Sequence, residues 1–181
     1  MFKYNKIELE YVFLKTLYII NLKTINMKDK KLAGDNIKTE DSNWCFSGDV
    51  VNNFDKHVKK SVPLYLEGHQ ITCDLSKFFV KDDSVVYEIG SSTGVLSVKL
   101  SESNSTKSGA RFIGFDIEKD MVDFANKELT KVNINNVSFE HADIVSTELE
   151  KSDLVVCYYT AQFISPSVRQ QVINKLYQSL N

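Results

Sequence analysis

The stretch "VVYEIGSSTGVLSVKL", residues 85–100, limits the fold more than any other part of the chain. A β-branched apolar run reaches an acid at Glu88, turns through Gly90 and Gly94, and continues as an amphipathic segment. Such a run reads as a buried strand, and the glycines supply a tight turn into a helix. Strand, glycine turn and helix in that order open a parallel α/β unit, because parallel strands need a crossover that is usually helical.

The rest of the chain alternates in the same way. "RFIGFDI" (111–117), "NVSFEHADI" (136–144) and "SDLVVCYYT" (152–160) read as further strands. Between them, "EKDMVDFANKELTK" places Met121, Ala125 and Leu129 on one helical face. "SPSVRQQVINKLYQSL" reads as a helix capped by Ser165, with Pro166 in its first turn and Val168, Val172, Leu176 and Leu180 turned inward. Upstream, Val50, Val51, Phe54 and Val58 recur at helical spacing until Pro63 ends that helix, and a second helical stretch runs through Ile71, Leu75 and Phe79. The serine-rich "SESNSTKSG" (101–109) is expected to be a surface loop. The predicted architecture is a doubly wound α/β sheet, parallel, with helices on both faces.

Residues 1–43 read as a flexible or helical lead-in and 44–181 as the folded domain. The polar "KDKKLAGDNIKTED" buries little, and Met27 just before it is an expected alternative translation start. The apolar "YVFLKTLYII" (11–20) is interrupted by Lys15 and is shorter than the roughly 20 residues a bilayer needs. It predicts neither a signal peptide nor a membrane span, and a cytoplasmic location is expected.

At 181 residues with 43% hydrophobic and 25% charged content, one soluble domain is the default. A net charge of -2 offers no global attraction for nucleic acid, so direct nucleic-acid binding is not supported. Cys45, Cys73 and Cys157 are odd in number and far apart, which suggests neither a disulfide framework nor a zinc site. His57, His69 and His141 are as scattered and read as surface or packing residues. No metal is assigned.

Ligands of open parallel sheets bind at the carboxyl ends of strands, where strand order reverses. Gly90 allows a tight turn there, and Gly94 would let a ligand approach the start of the helix. A dinucleotide fingerprint would want glycine at the position of Ser92. Glu88 would repel pyrophosphate and attract an ammonium or sulfonium. Asp116 and Asp143 end the next two strands, one suited to a ribose diol and the other to an adenine amino group, with Ile117 and Ile144 as apolar faces for the base. Each acid alone would as readily cap the next helix. Their succession along three strands favours a cationic, nucleoside-bearing ligand.

That order resembles class I S-adenosylmethionine-dependent methyltransferases, with "EIGSSTG" as the methionine-side loop, "GFDIEKDMVDFA" as the ribose segment and "HADI" as the adenine segment. The likeness covers roughly residues 44–181. It implies a Rossmann-like fold, S-adenosyl-L-methionine as cofactor, and cofactor contacts from Glu88, Gly90, Ser91 and Gly94, then Asp116, Ile117 and Met121, then Asp143 and Ile144. Within that family, "FDKHVKKSVPLY" and "VVCYYTAQFISPSVRQQVINKLYQSLN" are similar to the carboxy-S-adenosylmethionine synthase branch, which serves tRNA wobble-uridine modification. The branch implies Tyr65 at the cofactor and a recurrent segment at Thr160, Gln162 and Phe163. This chain has Tyr158 where the branch has asparagine, and Tyr158 is expected at the cofactor in its place; the arginine segment for the extra carboxylate would fall beyond Asn181.

The family's sheet has seven strands and this sequence supplies four, which predicts a domain truncated after the fourth strand and its helix. "DLVVCYY" would then be an apolar edge, completed by a second copy, another chain or a longer gene product. The leading expectation is a methyltransferase of unidentified acceptor, for which alignment is the main demand and no catalytic base is nominated. Carboxy-S-adenosylmethionine synthesis is the alternative within the fold. A non-catalytic or truncated nucleoside-binding remnant is a third reading, and an NAD-dependent oxidoreductase a weaker fourth.

Overall fold

The computed structural model describes residues 49–181, which fall within one compact unit, Ala33–Asn181. The lead-in, the Met27 start, the 11–20 stretch and Cys45 lie outside the described residues. Two helices come first, α1 (Asp49–Ser61) and α2 (Tyr65–Ser76), separated at Val62–Pro63 as proline chemistry requires. Then follow β1 (Val85–Ile89), α3 (Val95–Ser103), β2 (Arg111–Asp116), α4 (Lys119–Leu129), β3 (Val137–His141), β4 (Leu154–Val156), a short 3-10 turn at Ala161–Phe163, and α5 (Pro166–Ser179).

All pairings are parallel, and the sheet order is β3-β2-β1-β4. The chain winds outward from β1 to β3, then returns to the other side of β1. The reversal therefore falls between β1 and β4. Every residue of β1 is buried, which explains its continuous apolar run.

The two faces of the sheet sort by strand periodicity. Val86, Phe112, Val137, Phe139 and Val156 pack with Cys73 of α2, Leu96 and Leu100 of α3, and Val122 and Ala125 of α4. Val85, Tyr87, Ile89, Ile113 and Phe115 pack on the opposite face with Val172 of α5. Glu88 shares the first face, so its carboxyl lies beneath α3 with almost no water around it.

Two helices depart from their sequence pattern. On α2 the inward side carries His69, Cys73 and Ser76, while the apolar residues Ile71 and Leu75, and Phe79 in the turn after it, are exposed. Part of the serine-rich stretch belongs to α3. Ser101 is buried on it, and Asn104 just past its end donates to Ser76 Oγ and to the Leu100 carbonyl, both at 2.8 Å. A short polar side chain that closes hydrogen bonds locally can be buried where a loop was expected.

Along β4 the named pairing is with β1 alone, and Ser152 just before it forms a parallel bridge with Leu180. The Ser152 N–H donates to the Ser179 carbonyl at 2.8 Å and the Asn181 N–H to the Ser152 carbonyl at 2.9 Å, so the residues after α5 already run alongside this side of the sheet. No helix among the described residues is long and apolar enough to cross a membrane.

Candidate functional site at the strand tips

The glycine loop follows β1 directly. Gly90 and Gly94 both have positive φ, 75° and 81°, which favours glycine. Gly90 and Ser91 both donate backbone N–H groups to the Phe115 carbonyl, at 2.8 and 3.0 Å, which fastens the loop to the end of β2. The space around the glycines is already taken by protein. A Cβ on Gly90 would collide with the Thr160 side chain, and one on Gly94 with the Phe139 ring. Gly94 is therefore needed for the start of α3 to pack against the Phe139 ring of β3.

Glu88 is 5% exposed and accepts a hydrogen bond from Ser97 Oγ at 2.5 Å. Burial pushes its carboxyl up to about 8; the Asp116 charge adds to this, while the Ser97 hydrogen bonds oppose it. Among the described residues, ion pairs join Lys77 to Asp74, Arg111 to Glu150, Lys119 to Asp123 and Lys131 to Glu128, and none reaches Glu88 or Asp116. Among the described residues, the two acids at the tips of the central strands are thus without a salt-bridge partner.

Asp116 organises the loop. Its Oδ2 accepts the Ser92 N–H at 2.7 Å and its Oδ1 the Glu118 N–H at 2.9 Å. Ser92 is held at φ 51°, a left-handed conformation costly for a residue with a Cβ, and the Asp116 bond offsets that cost. Below it, Ser92 Oγ reaches Met121 Sδ at 3.6 Å and Met121 is fully buried, so Met121 is a support of the loop. Ser91 is also buried; its Oγ lies beside Gly114 and has no hydrogen-bond partner.

The adenine end differs from the expectation. Ile117 is 61% exposed and free to cover a base, but Ile144 is 8% exposed and belongs to the lower core, so it offers no second wall. Lys175 Nζ pulls that turn against α5 by donating to the carbonyls of Ile144 and Val145, at 2.8 and 2.9 Å. Asp143 is exposed, and its Oδ1 accepts the Val145 N–H at 2.9 Å. This is the turn-capping role acids of this kind commonly play.

Beside the glycine loop stands an aromatic group that periodicity could not reveal. Tyr65 at the start of α2 has ring centroids of His69, Tyr158 and Tyr159 at 4.5, 5.6 and 6.1 Å. The Tyr158 hydroxyl donates to the Tyr65 carbonyl at 3.1 Å, and the phenol occupies the space a side chain at Gly68 would need. Tyr65 titrates well above an ordinary phenol, first through burial and then through the charges of Glu88 and Asp55, which puts it in the field of the strand-tip acids. Asp55 in turn accepts a hydrogen bond from Thr93 Oγ1 at 2.8 Å, so α1 is tied to the glycine loop. The family resemblance singled out Tyr65 and Tyr158; nothing in the sequence pointed to His69 beyond a surface or packing role.

A family model described as a methyltransferase domain matches residues 80–179, more than half of the chain. Carboxy-S-adenosyl-L-methionine synthases of Ruthia magnifica and Staphylococcus epidermidis are each 35% identical, over 81% and 76% of this chain. The chain spans about three-fifths of the length of those relatives, 62% and 59%. Among solved structures, a proposed S-adenosyl-L-methionine-dependent methyltransferase of Methanococcus maripaludis superimposes with a TM-score of 0.60 at 20% identity, covering 80% of this chain and 64% of that one. The magnesium protoporphyrin IX methyltransferase of Synechocystis with bound S-adenosylhomocysteine gives 0.52 at 23% identity, covering 65% and 54%. A central strand ending in a buried acid, a glycine loop tied to the next strand's aspartate and these matches agree: the chain belongs to the S-adenosyl-L-methionine-dependent methyltransferase family.

Proposed function

We propose that these strand tips bind S-adenosyl-L-methionine and that the protein alkylates an acceptor with it. The observation that carries this reading is the pair Glu88 and Asp116, two acids on adjacent strands with no salt-bridge partner among the described residues. The residues present fit the cofactor. Glu88 suits a positive group, Asp116 keeps lone pairs free for a ribose diol beyond its two backbone bonds, and Ile117 covers one face of a base. When bound, the cofactor supplies a methyl group on an electrophilic sulfonium.

The chain's own residues orient and shield. The Asp116 bonds fix the loop before the ligand arrives, and the short Ser97 bond fixes the Glu88 carboxyl. Such preorganisation lowers the ordering cost of binding. Transfer to a good nucleophile needs alignment more than proton transfer, so no residue is nominated as a base. The acceptor is left unassigned, and a cytoplasmic site of action is part of the same proposal.

The name shared by the 28–35% identical relatives favours carboxy-S-adenosyl-L-methionine synthesis as the second reading. Supplying S-adenosylmethionine with prephenate and analysing the nucleosides by mass spectrometry separates the two. A carboxylated sulfonium supports the synthase; its absence, with a methylated acceptor recovered from cell extract, supports the methyltransferase. For cofactor binding itself, S-adenosylhomocysteine should raise the melting temperature of the wild type, and much less that of Glu88→Gln or Asp116→Ala. No shift in a folded wild-type protein rejects the reading. The side of β4 away from β1, where Leu180 already bridges to Ser152, is proposed as the place where a further strand pairs, from this or a second chain, and light scattering reports whether a second copy supplies it.

A further inference from the structure

The half-buried ammonium of Lys175 has an unusual choice of partners. It sits on α5 beside Val172 and Leu176, which pack in the same core as Ile144. A lysine taken out of water in this way commonly pairs with a carboxylate. Lys175 Nζ instead donates to two consecutive main-chain carbonyls, those of Ile144 at 2.8 Å and Val145 at 2.9 Å.

Those bonds reach Asp143 through a single peptide unit. The carbonyl of the peptide joining Ile144 to Val145 accepts from Lys175, and its N–H, on Val145, donates to Asp143 Oδ1 at 2.9 Å. The next peptide repeats the arrangement: the Val145 carbonyl accepts from Lys175, and the Ser146 N–H donates to the Asp143 carbonyl at 3.1 Å. Thr147 adds its N–H and its Oγ1 to that same carbonyl, at 2.9 and 2.7 Å. Each peptide plane is therefore fixed from both ends, and a cation on the carbonyl side polarises the N–H on the other.

The result is a carboxyl with two unlike oxygens. Oδ1 is taken by the Val145 N–H, while Oδ2 accepts no hydrogen bond among the described residues and belongs to an exposed side chain just past the tip of β3. The turn also stands next to the acid that organises the glycine loop, because the Ala142 N–H donates to the Asp116 carbonyl at 2.9 Å. A carboxylate oxygen fixed in this way accepts a hydrogen from an amino group but opposes the lone pairs of an oxo group.

We propose that Lys175 is a positioning residue for nucleobase recognition: through the peptide between Ile144 and Val145 it sets the Asp143 carboxyl, so that the turn takes a purine with an exocyclic amino group and rejects its oxo counterpart. This rests on the cofactor reading above, in which Asp143 meets the nucleobase, and adds to it a residue of α5 that touches no ligand. Without the ammonium, two carbonyls are left unpaired against α5, which favours a turn in which they reach water and Asp143 loses its fixed orientation.

The experiment is a calorimetric titration of the full chain with S-adenosylhomocysteine and, separately, with S-inosylhomocysteine, which carries an oxo group in place of the amino group. The wild type should prefer the adenosyl ligand about tenfold. Lys175→Met keeps the length of the side chain and removes its donors, and should bring the ratio to about two or less by weakening the adenosyl ligand. Lys175→Arg, which returns donors to the carbonyls, should keep the preference. Where the Met variant fails to fold by circular dichroism, Lys175→Gln, too short to reach both carbonyls, gives the same reading. A wild-type ratio near one overturns the proposal and leaves the cofactor reading in place. So does a folded Met or Gln variant with the wild-type ratio, even if both affinities fall together, since Lys175 would then only brace α5 against the turn. If neither ligand binds the folded wild type, the cofactor reading itself falls, and the role of Lys175 with it.

Discussion

Ser97 Oγ donates to Glu88 Oε2 at 2.5 Å within a layer that excludes water, so the family's strand-end acid is held by a neutral partner from the following helix. Because burial holds the carboxyl up near 8, Glu88 is largely protonated at neutral pH in the unliganded protein. A ligand cation favours the ionised form. Binding of S-adenosylhomocysteine, through its ammonium, should therefore release a proton. Calorimetry in buffers of different ionisation enthalpy should show release approaching one proton per ligand near pH 6.5 and diminishing through about pH 8. Glu88→Gln should show none.

The same group sets a stability slope. A carboxyl with a folded value near 8 and an ordinary value of 4.5 keeps its proton in the native state and loses it on unfolding between those limits. Its contribution is complete below 4.5 and declines as pH rises through 8. His69 acts in the opposite sense: depressed to about 4 from 6.5, mainly by burial, it stabilises above 6.5 and loses that contribution as pH falls toward 4. The two slopes oppose each other from 4.5 to 6.5, so urea denaturation should show near-constant stability there and a decline from 6.5 to 8. Glu88→Gln should remove the decline.

Gly68 and Tyr158 should be coupled. In a helix interior, Gly→Ala ordinarily stabilises by about 1 kcal/mol. Here the new methyl would collide with the Tyr158 phenol, so Gly68→Ala should instead destabilise by roughly 1–3 kcal/mol. In a Tyr158→Ala background the same change should be neutral or stabilising. A thermodynamic cycle measured by chemical denaturation checks the reversal of sign.

Asp116 should matter to both fold and ligand. Asp116→Ala releases the N–H groups of Ser92 and Glu118 and should weaken S-adenosylhomocysteine by roughly 1–3 kcal/mol. Ser92→Gly relieves the positive φ at that residue and should stabilise the unliganded protein by up to about 1 kcal/mol. Unchanged affinity in Asp116→Ala would remove the ribose assignment.

The sheet was legible because buried strands leave a simple mark: "VVY", "FIGF" and "LVV" are short apolar runs, each ending near a polar residue or a turn. Helix α2 was legible as a helix but not in its facing. Ile71, Leu75 and Phe79 keep helical spacing, yet small and locally satisfied residues such as Cys73 and Ser76 fit closer to the sheet, where Ser76 Oγ bonds back to the Cys73 carbonyl at 2.7 Å. The burial of Ile144 was not legible, because it packs with Val172 of α5, a contact that no local pattern encodes. Tyr158 at Gly68 spans 90 residues, and no local pattern encodes that proximity.

The central claim is that uncompensated acids at neighbouring strand tips select a cationic sulfur nucleoside over a pyrophosphate dinucleotide. Titrating the folded protein in a calorimeter with S-adenosylhomocysteine, and in parallel with NAD, tests it most directly. The account predicts saturable one-to-one binding of the first and no measurable heat from the second. Saturable binding of NAD with none of S-adenosylhomocysteine would contradict it.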